Sequence, residues 1–67
     1  MSTETIGQKI NRVIESQGRS KKWMAEQLGL SPSSFSQRIS GNIEFKYSEI
    51  ESIMTILRVD EKMQPID

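Results

Sequence analysis

Neither cysteine nor histidine occurs anywhere in the chain. Without thiols, no disulfide and no thiolate–metal site can support the fold. Without imidazole, the commonest metal ligand and the usual general base are both missing. Long apolar stretches are missing too. No apolar run exceeds three residues, far short of the roughly 20 that a membrane span requires. The opening MSTETIGQ has neither the basic nor the apolar region of a secretory signal, so a cytoplasmic location is the expectation. Net charge is absent as well, with nine Lys/Arg against nine Asp/Glu. Taken alone, that balance weighs against a nucleic-acid partner.

Other routes to catalysis are equally bare. Glu49 and Glu51 are neighbours only in sequence, because residues two apart on a helix point different ways. There is no Gly-rich phosphate loop, no metal-ligand spacing and no nucleophile–base set. The expectation is therefore a protein that is not an enzyme and carries no cofactor and no metal.

What is present is sorted along the chain. Residues 1–38 hold six cations (Lys9, Arg12, Arg19, Lys21, Lys22, Arg38) against Glu4, Glu15 and Glu26. Residues 39–67 reverse the ratio, with Lys46, Arg58 and Lys62 against Glu44, Glu49, Glu51, Asp60, Glu61 and Asp67. The molecule is polarised from basic to acidic. At 67 residues and 34% apolar, it is a single domain, residues 1–67, with a small core that leans on short helices or self-association.

Apolar spacing predicts those helices. Ile6, Ile10, Val13 and Ile14 form one stripe, so a first helix is expected from about Thr3 to Gln17, capped by Ser2 or Thr3 and ended at Gly18. Ser20 caps a second, over Lys21 to Leu28, with Met24, Ala25 and Leu28 on one face and Gly29 as its stop. Ser31 caps a third, with Pro32 at the first helical position and Gly41 beyond its end. Asn42 to Lys46 reads as a loop with Phe45 folded inward. Ile50, Ile53, Met54 and Leu57 then predict a fourth helix from about Tyr47 to Leu57. Asp60 is positioned to cap a single further turn through Met63, and residues 60–67 form a short tail in which Pro65 blocks any continuation. Nothing alternates with period two, so the class is all-α, with four to five helices.

The third helix has an unusual outer face. With Phe35 and Ile39 turned to the core, steps of about 100° per residue put Ser33 and Gln37 outward, Ser34 and Ser40 beside them, and Ser36 and Arg38 on the flanks. None of these is acidic, and most are short. A merely solvated face would carry more Glu and Lys, because serine competes with the helix by bonding its own backbone. Short side chains allow close approach to a groove, Gln is a bidentate partner for adenine, and a proline ring can touch a thymine methyl. Trp23 is expected to pack over the first or second helix; its sharper alternative is a contact with DNA or a partner. Ile43 reads as an isolated exposed apolar residue, or as one member of a self-association patch with Met63 and Ile66.

Two short helices joined by "LGLS", within "SKKWMAEQLGLSPSSFSQRISGN", resemble the helix-turn-helix of the Cro and phage-repressor family. Met24, Ala25, Gly29, Ser31 and Gly41 match the family's spacing, and Ile50, Ile53, Leu57 and Val59 fall where its fourth-helix core residues lie. The resemblance covers about residues 5–60 and implies a compact lambda-repressor-like domain whose helix-turn-helix core spans 20–40. It implies that recognition helix 32–39 enters the major groove, with Pro32, Ser33, Ser36 and Gln37 at base edges. It implies DNA-backbone contacts from Lys21, Ser34, Arg38, Ser40, Asn42 and Lys46. The implied partner is double-stranded DNA bearing an inverted-repeat operator, bound by a homodimer, and the implied role is transcriptional repression of the phage or small bacterial regulator type. The alternative on the same fold is a protein-interaction module, such as an antirepressor, modulator or antitoxin. Three features differ from the family's habit: the loop after the recognition helix contains Glu44 and Phe45, Arg58 stands at a common glycine position, and the fifth helix is reduced to a turn.

Overall fold

Helix starts are set by side chains that accept the first free backbone N–H groups. The computed structural model describes residues 4–66, so Ser2 and Thr3 lie outside the described residues. The cap of the first helix, α1 (Ile6–Ser16), is Thr5. Its hydroxyl accepts from the Gln8 N–H while the Gln8 side chain accepts from the Thr5 N–H. This reciprocal capping box places the start of α1 later than the apolar stripe suggested. The helix also stops one residue earlier, with Gln17 as its cap.

The second helix, α2 (Lys21–Leu28), starts at Ser20, whose hydroxyl accepts from the Trp23 N–H, and ends on left-handed Gly29. The third, α3 (Pro32–Ser40), starts at Ser31, which caps the Ser34 N–H, and ends on left-handed Gly41. The fourth, α4 (Tyr47–Leu57), follows a loop over 41–46. Among the described residues these four helices are the whole regular structure, apart from an isolated antiparallel bridge between Val59 and Pro65. The expected single turn through Met63 is present as a hydrogen-bonded turn, not a fifth helix: the Met63 N–H donates to the Asp60 carbonyl at 2.8 Å. The Asp60 carboxylate accepts from the Lys62 and Gln64 N–H groups, and the Ile66 N–H donates to the Arg58 carbonyl, which folds the tail back on the end of α4.

The core collects Ile10, Val13 and Ile14 from α1, Met24 and Ala25 from α2, Phe35 from α3, Ile53 and Leu57 from α4, and Val59 and Met63 from the tail. Trp23, Leu28, Ile39, Phe45, Ile50 and Met54 pack around it, half-buried. Phe45 does turn inward and meets Phe35 edge-on at 6.0 Å. Ile6, assigned to the buried stripe by its spacing, is instead 41% exposed, and the adjacent Gly7 is buried in its place. Met63 is buried, so it cannot join an exposed patch with Ile43 and Ile66.

Gly7 explains how α1 meets α3. A methyl group at Gly7 would lie 2.9 Å from the Ile39 carbonyl carbon and closer still to its oxygen. Only a residue without a side chain lets the two helix backbones approach so nearly.

Arg58 caps the far end of α4 in the left-handed region (φ 57°, ψ 54°), a conformation that disfavours residues with a Cβ. Arg58→Gly should therefore stabilise the protein by about 0.5–1 kcal/mol, read as a shift of the urea midpoint at constant slope. A destabilised variant would mean that the arginine side chain contributes more than its backbone costs.

Candidate nucleic-acid interface

The connection between α2 and α3 is three residues long, Gly29, Leu30 and Ser31. The Leu30 N–H donates back to the Ala25 carbonyl, closing the end of α2. Half-buried Leu30 pins the turn to the core, and α3 packs against both α1 and α2. Of α3, only Phe35 is fully buried. The helix is thus held along one edge and presents the remainder outward.

That outward surface contains Pro32, Ser33, Ser36, Gln37 and Ser40, all exposed. No charged side chain lies among them. Ser40 turns its hydroxyl back to the Gln37 carbonyl, which leaves Ser33, Ser36 and Gln37 as the side chains of this face with no hydrogen bond to another protein group among the described residues. The C-terminal end of α3 is closed by its own backbone, since the Gln37 carbonyl accepts from the Asn42 N–H. Lys21, at the first position of α2, is exposed, as are Asn42 and Lys46 in and after the 41–46 loop.

Two of the expected backbone contacts are placed differently. Arg38 is turned inward, its side chain only 10% exposed. Its Nε donates to Glu49 Oε1 at 3.1 Å and its Nη1 to the Ser34 carbonyl at 3.1 Å, with a further bond to the Ser34 hydroxyl. Ser34 is half-buried and committed to that arginine. Arg38 and Ser34 therefore tie α3 to α4 instead of lying free on the surface. The flank geometry of the isolated helix left Arg38 accessible, and the approach of α4 covers it.

Glu49 is the partner that sequence reading passed over. The same Oε1 that accepts from Arg38 also accepts from the Lys46 N–H at 2.8 Å. One carboxylate oxygen thus caps α4 and anchors α3. Lys46 has no acceptor in its side chain and cannot return the bond, so Glu49 caps alone. Burial pushes the Glu49 carboxyl up, but the Lys46 N–H, the Arg38 hydrogen bond and the positive charges of Arg38 and Lys46 outweigh it. The net result is a carboxyl held below its ordinary value of 4.5. The signal in the sequence was the position of Glu49 three residues after a helix cap.

No protein-family model, curated protein or solved structure matches this chain. The surface must therefore be interpreted from its own chemistry.

That chemistry is a rigid, uncharged helix face bordered by separate cations. Arg12 is paired with Glu4 at 2.8 Å and Arg38 with Glu49. Lys21 and Lys22, at the start of α2, form no ion pair among the described residues. Their ammonium groups and the free N–H groups of that helix end make one favourable place for a phosphate. Trp23, half-buried against the core, lies under Arg19, whose guanidinium carbon is 4.2 Å from the ring centroid. The aromatic ring is therefore not free to receive a base. Among the described residues there is no group of three or more His, Cys, Asp or Glu able to hold a metal ion, and no helix is long and apolar enough to cross a membrane.

Proposed function

We infer that this protein is a sequence-specific DNA-binding regulator of the Cro and phage-repressor type, and that α2 and α3 act as a helix-turn-helix. The observation that carries the reading is the exposed, uncharged and hydrogen-bonding face of α3, held by one buried aromatic and joined by a three-residue turn to a helix that starts with two free lysines. Pro32, Ser33, Ser36 and Gln37 meet base edges in the major groove. Lys21 holds a phosphate, with Asn42, Lys46 and Ser40 following the backbone. A homodimer on an inverted repeat, with half-sites about 34 Å apart, suits a module that has only one such face. The proposed mechanism is occupation of the operator, with steric repression.

One observation favours a second reading. Arg38 is neutralised inside the protein, and the chain carries no net charge, so the electrostatic attraction to DNA is small. A protein-interaction module on the same fold, an antirepressor, modulator or antitoxin, needs no such attraction.

Selection of the purified protein against a random duplex pool at about 50 and 200 mM salt separates the two, since phosphate-driven binding falls steeply over that range. The DNA reading expects an enriched inverted repeat that persists at the higher salt. Gln37→Ala should then cost about 1–3 kcal/mol at one base pair and relax preference there, while Lys21→Ala weakens all sequences alike and lowers the salt slope by about one unit. No enrichment at either salt would transfer the assignment to the protein-partner reading.

A further inference from the structure

A second surface lies away from α3, where α1 and α4 end together. Gln17, Arg19, Ile56, Arg58, Pro65 and Ile66 line an open cleft of about 310 Å³ that contains no residue of α3. Its wall is mixed, with polar surface from Gln17 and the arginines beside apolar surface from Ile56, Pro65 and Ile66, and Ile66 is 66% exposed there. Two guanidinium groups border it. Helix C-termini carry partial negative charge, so arginines here have an ordinary explanation as partners of the helix carbonyls. They are not used in that way. Gln17 Nε2 donates to the Leu57 carbonyl at 2.8 Å, and the Ile66 N–H donates to that of Arg58. Arg19 donates only from Nε, to Gln17 Oε1, and Arg58 makes no side-chain hydrogen bond among the described residues. Among the described residues no acceptor engages the terminal nitrogens of either arginine, and these are forked donors suited to a carboxylate.

Two further features set the cleft apart. Arg19 is held in place, stacked at 4.2 Å over Trp23 and tied to Gln17, so little side-chain freedom is lost when it binds. Arg58 occupies a left-handed backbone position where glycine costs less. We propose that this cleft docks an acidic segment of a partner protein, one in which Asp or Glu stands beside an apolar residue. The carboxylate bridges Arg19 and Arg58, and the apolar neighbour covers Ile66 and Pro65. The apolar part of the wall, Ile56, Pro65 and exposed Ile66, favours such a peptide over a phosphate backbone, which offers nothing to bury against isoleucine and proline. The proposal is independent of the reading of α3.

The only tryptophan of the chain reports on the site, because a ligand that draws on Arg19 alters the stack over Trp23. The test titrates the whole protein with the acetylated, amidated peptide Leu-Glu-Leu-Asp-Leu and follows Trp23 emission, with calorimetry as a second readout. The control peptide is Leu-Gln-Leu-Asn-Leu. Saturable binding is expected, weakened at least tenfold by the control peptide and by Arg58→Gln. Arg58→Gly, which relieves the backbone, should weaken binding equally while the fold is retained. Absence of saturable binding overturns the proposal, and so does equal binding of the control peptide or undiminished binding by either Arg58 variant. Displacement of the peptide by random-sequence duplex DNA would also overturn it, by making the cleft a phosphate site.

Discussion

Gly7→Ala should remove a substantial part of the stability of this protein. The substitution looks benign in isolation, since alanine is favoured over glycine by about 1 kcal/mol inside a helix. The tertiary setting reverses the sign. The added methyl meets the backbone carbonyl of Ile39, not the flexible end of a side chain, and nothing there can rotate away. Either α1 moves off α3 or the last turn of α3 distorts. Overpacking of this kind costs typically 1–3 kcal/mol and can exceed that when the obstacle is backbone. A domain of this size holds only about 3–10 kcal/mol in total. The net expectation is a loss of at least about 2 kcal/mol, equivalent to a fall of roughly 8–16 °C in Tm. Gly18→Ala is the useful comparator. Gly18 has φ 70° but open space around it, so its cost is backbone strain alone, about 1 kcal/mol. If thermal melts rank the two variants equally, the close approach of α1 to α3 does not limit stability.

Glu49→Gln should destabilise the protein at neutral pH and remove part of its acid sensitivity. The glutamine keeps an oxygen for the Lys46 N–H but leaves Arg38 without its counter-ion in a site where both side chains are about nine-tenths covered. Stranding one member of a fully buried pair costs about 3–5 kcal/mol; the residual exposure here reduces the expectation to about 2 kcal/mol. The pH dependence follows from the lowered Glu49 carboxyl. When a folded-state value lies below the unfolded one, the stabilisation is complete above the unfolded value and disappears as pH falls through the folded one. For Glu49 that window opens near pH 4.5 and extends downward. Urea midpoints of the native protein should therefore decline below about pH 4.5, and those of Glu49→Gln should decline less. Parallel acid limbs in the two proteins would show that other carboxylates set the acid response.

Much of the helical layout was legible because the chain announces its own boundaries. Ser20 and Gly29, then Ser31 with Pro32 and Gly41, mark the limits of α2 and α3 without help from tertiary structure. The start of α1 was less readable: the cap was expected at Ser2 or Thr3, and Thr5 takes that place through its reciprocal bonds with Gln8. Ile6 satisfied the apolar spacing yet remains exposed, since its stripe drifts around α1 and Gly7 takes the buried position beside α3. The exposed positions of α3 followed from helix geometry once Phe35 was placed inside. The inward turn of Arg38 did not. It depends on Glu49, eleven residues away, arriving from a helix whose angle no local pattern specifies. Apart from Ile6, side chains assigned by periodicity alone were recovered, whereas the inward turn of Arg38, whose partner belongs to another helix, was not.

The way α3 is held has a consequence for substitution. Its attachment rests on Phe35, half-buried Ile39 and the Ser34–Arg38–Glu49 link, while Pro32, Ser33, Ser36, Gln37 and Ser40 bear little of the fold. Substitutions at exposed helical positions away from caps and pairs usually change stability by less than about 0.5 kcal/mol. Those five positions can consequently be substituted with little cost to the fold and without compensating changes in its core. The helix behaves as a bit in a fixed holder, in which Ser31 caps it, Phe35 anchors it in the core and Arg38 ties it to α4.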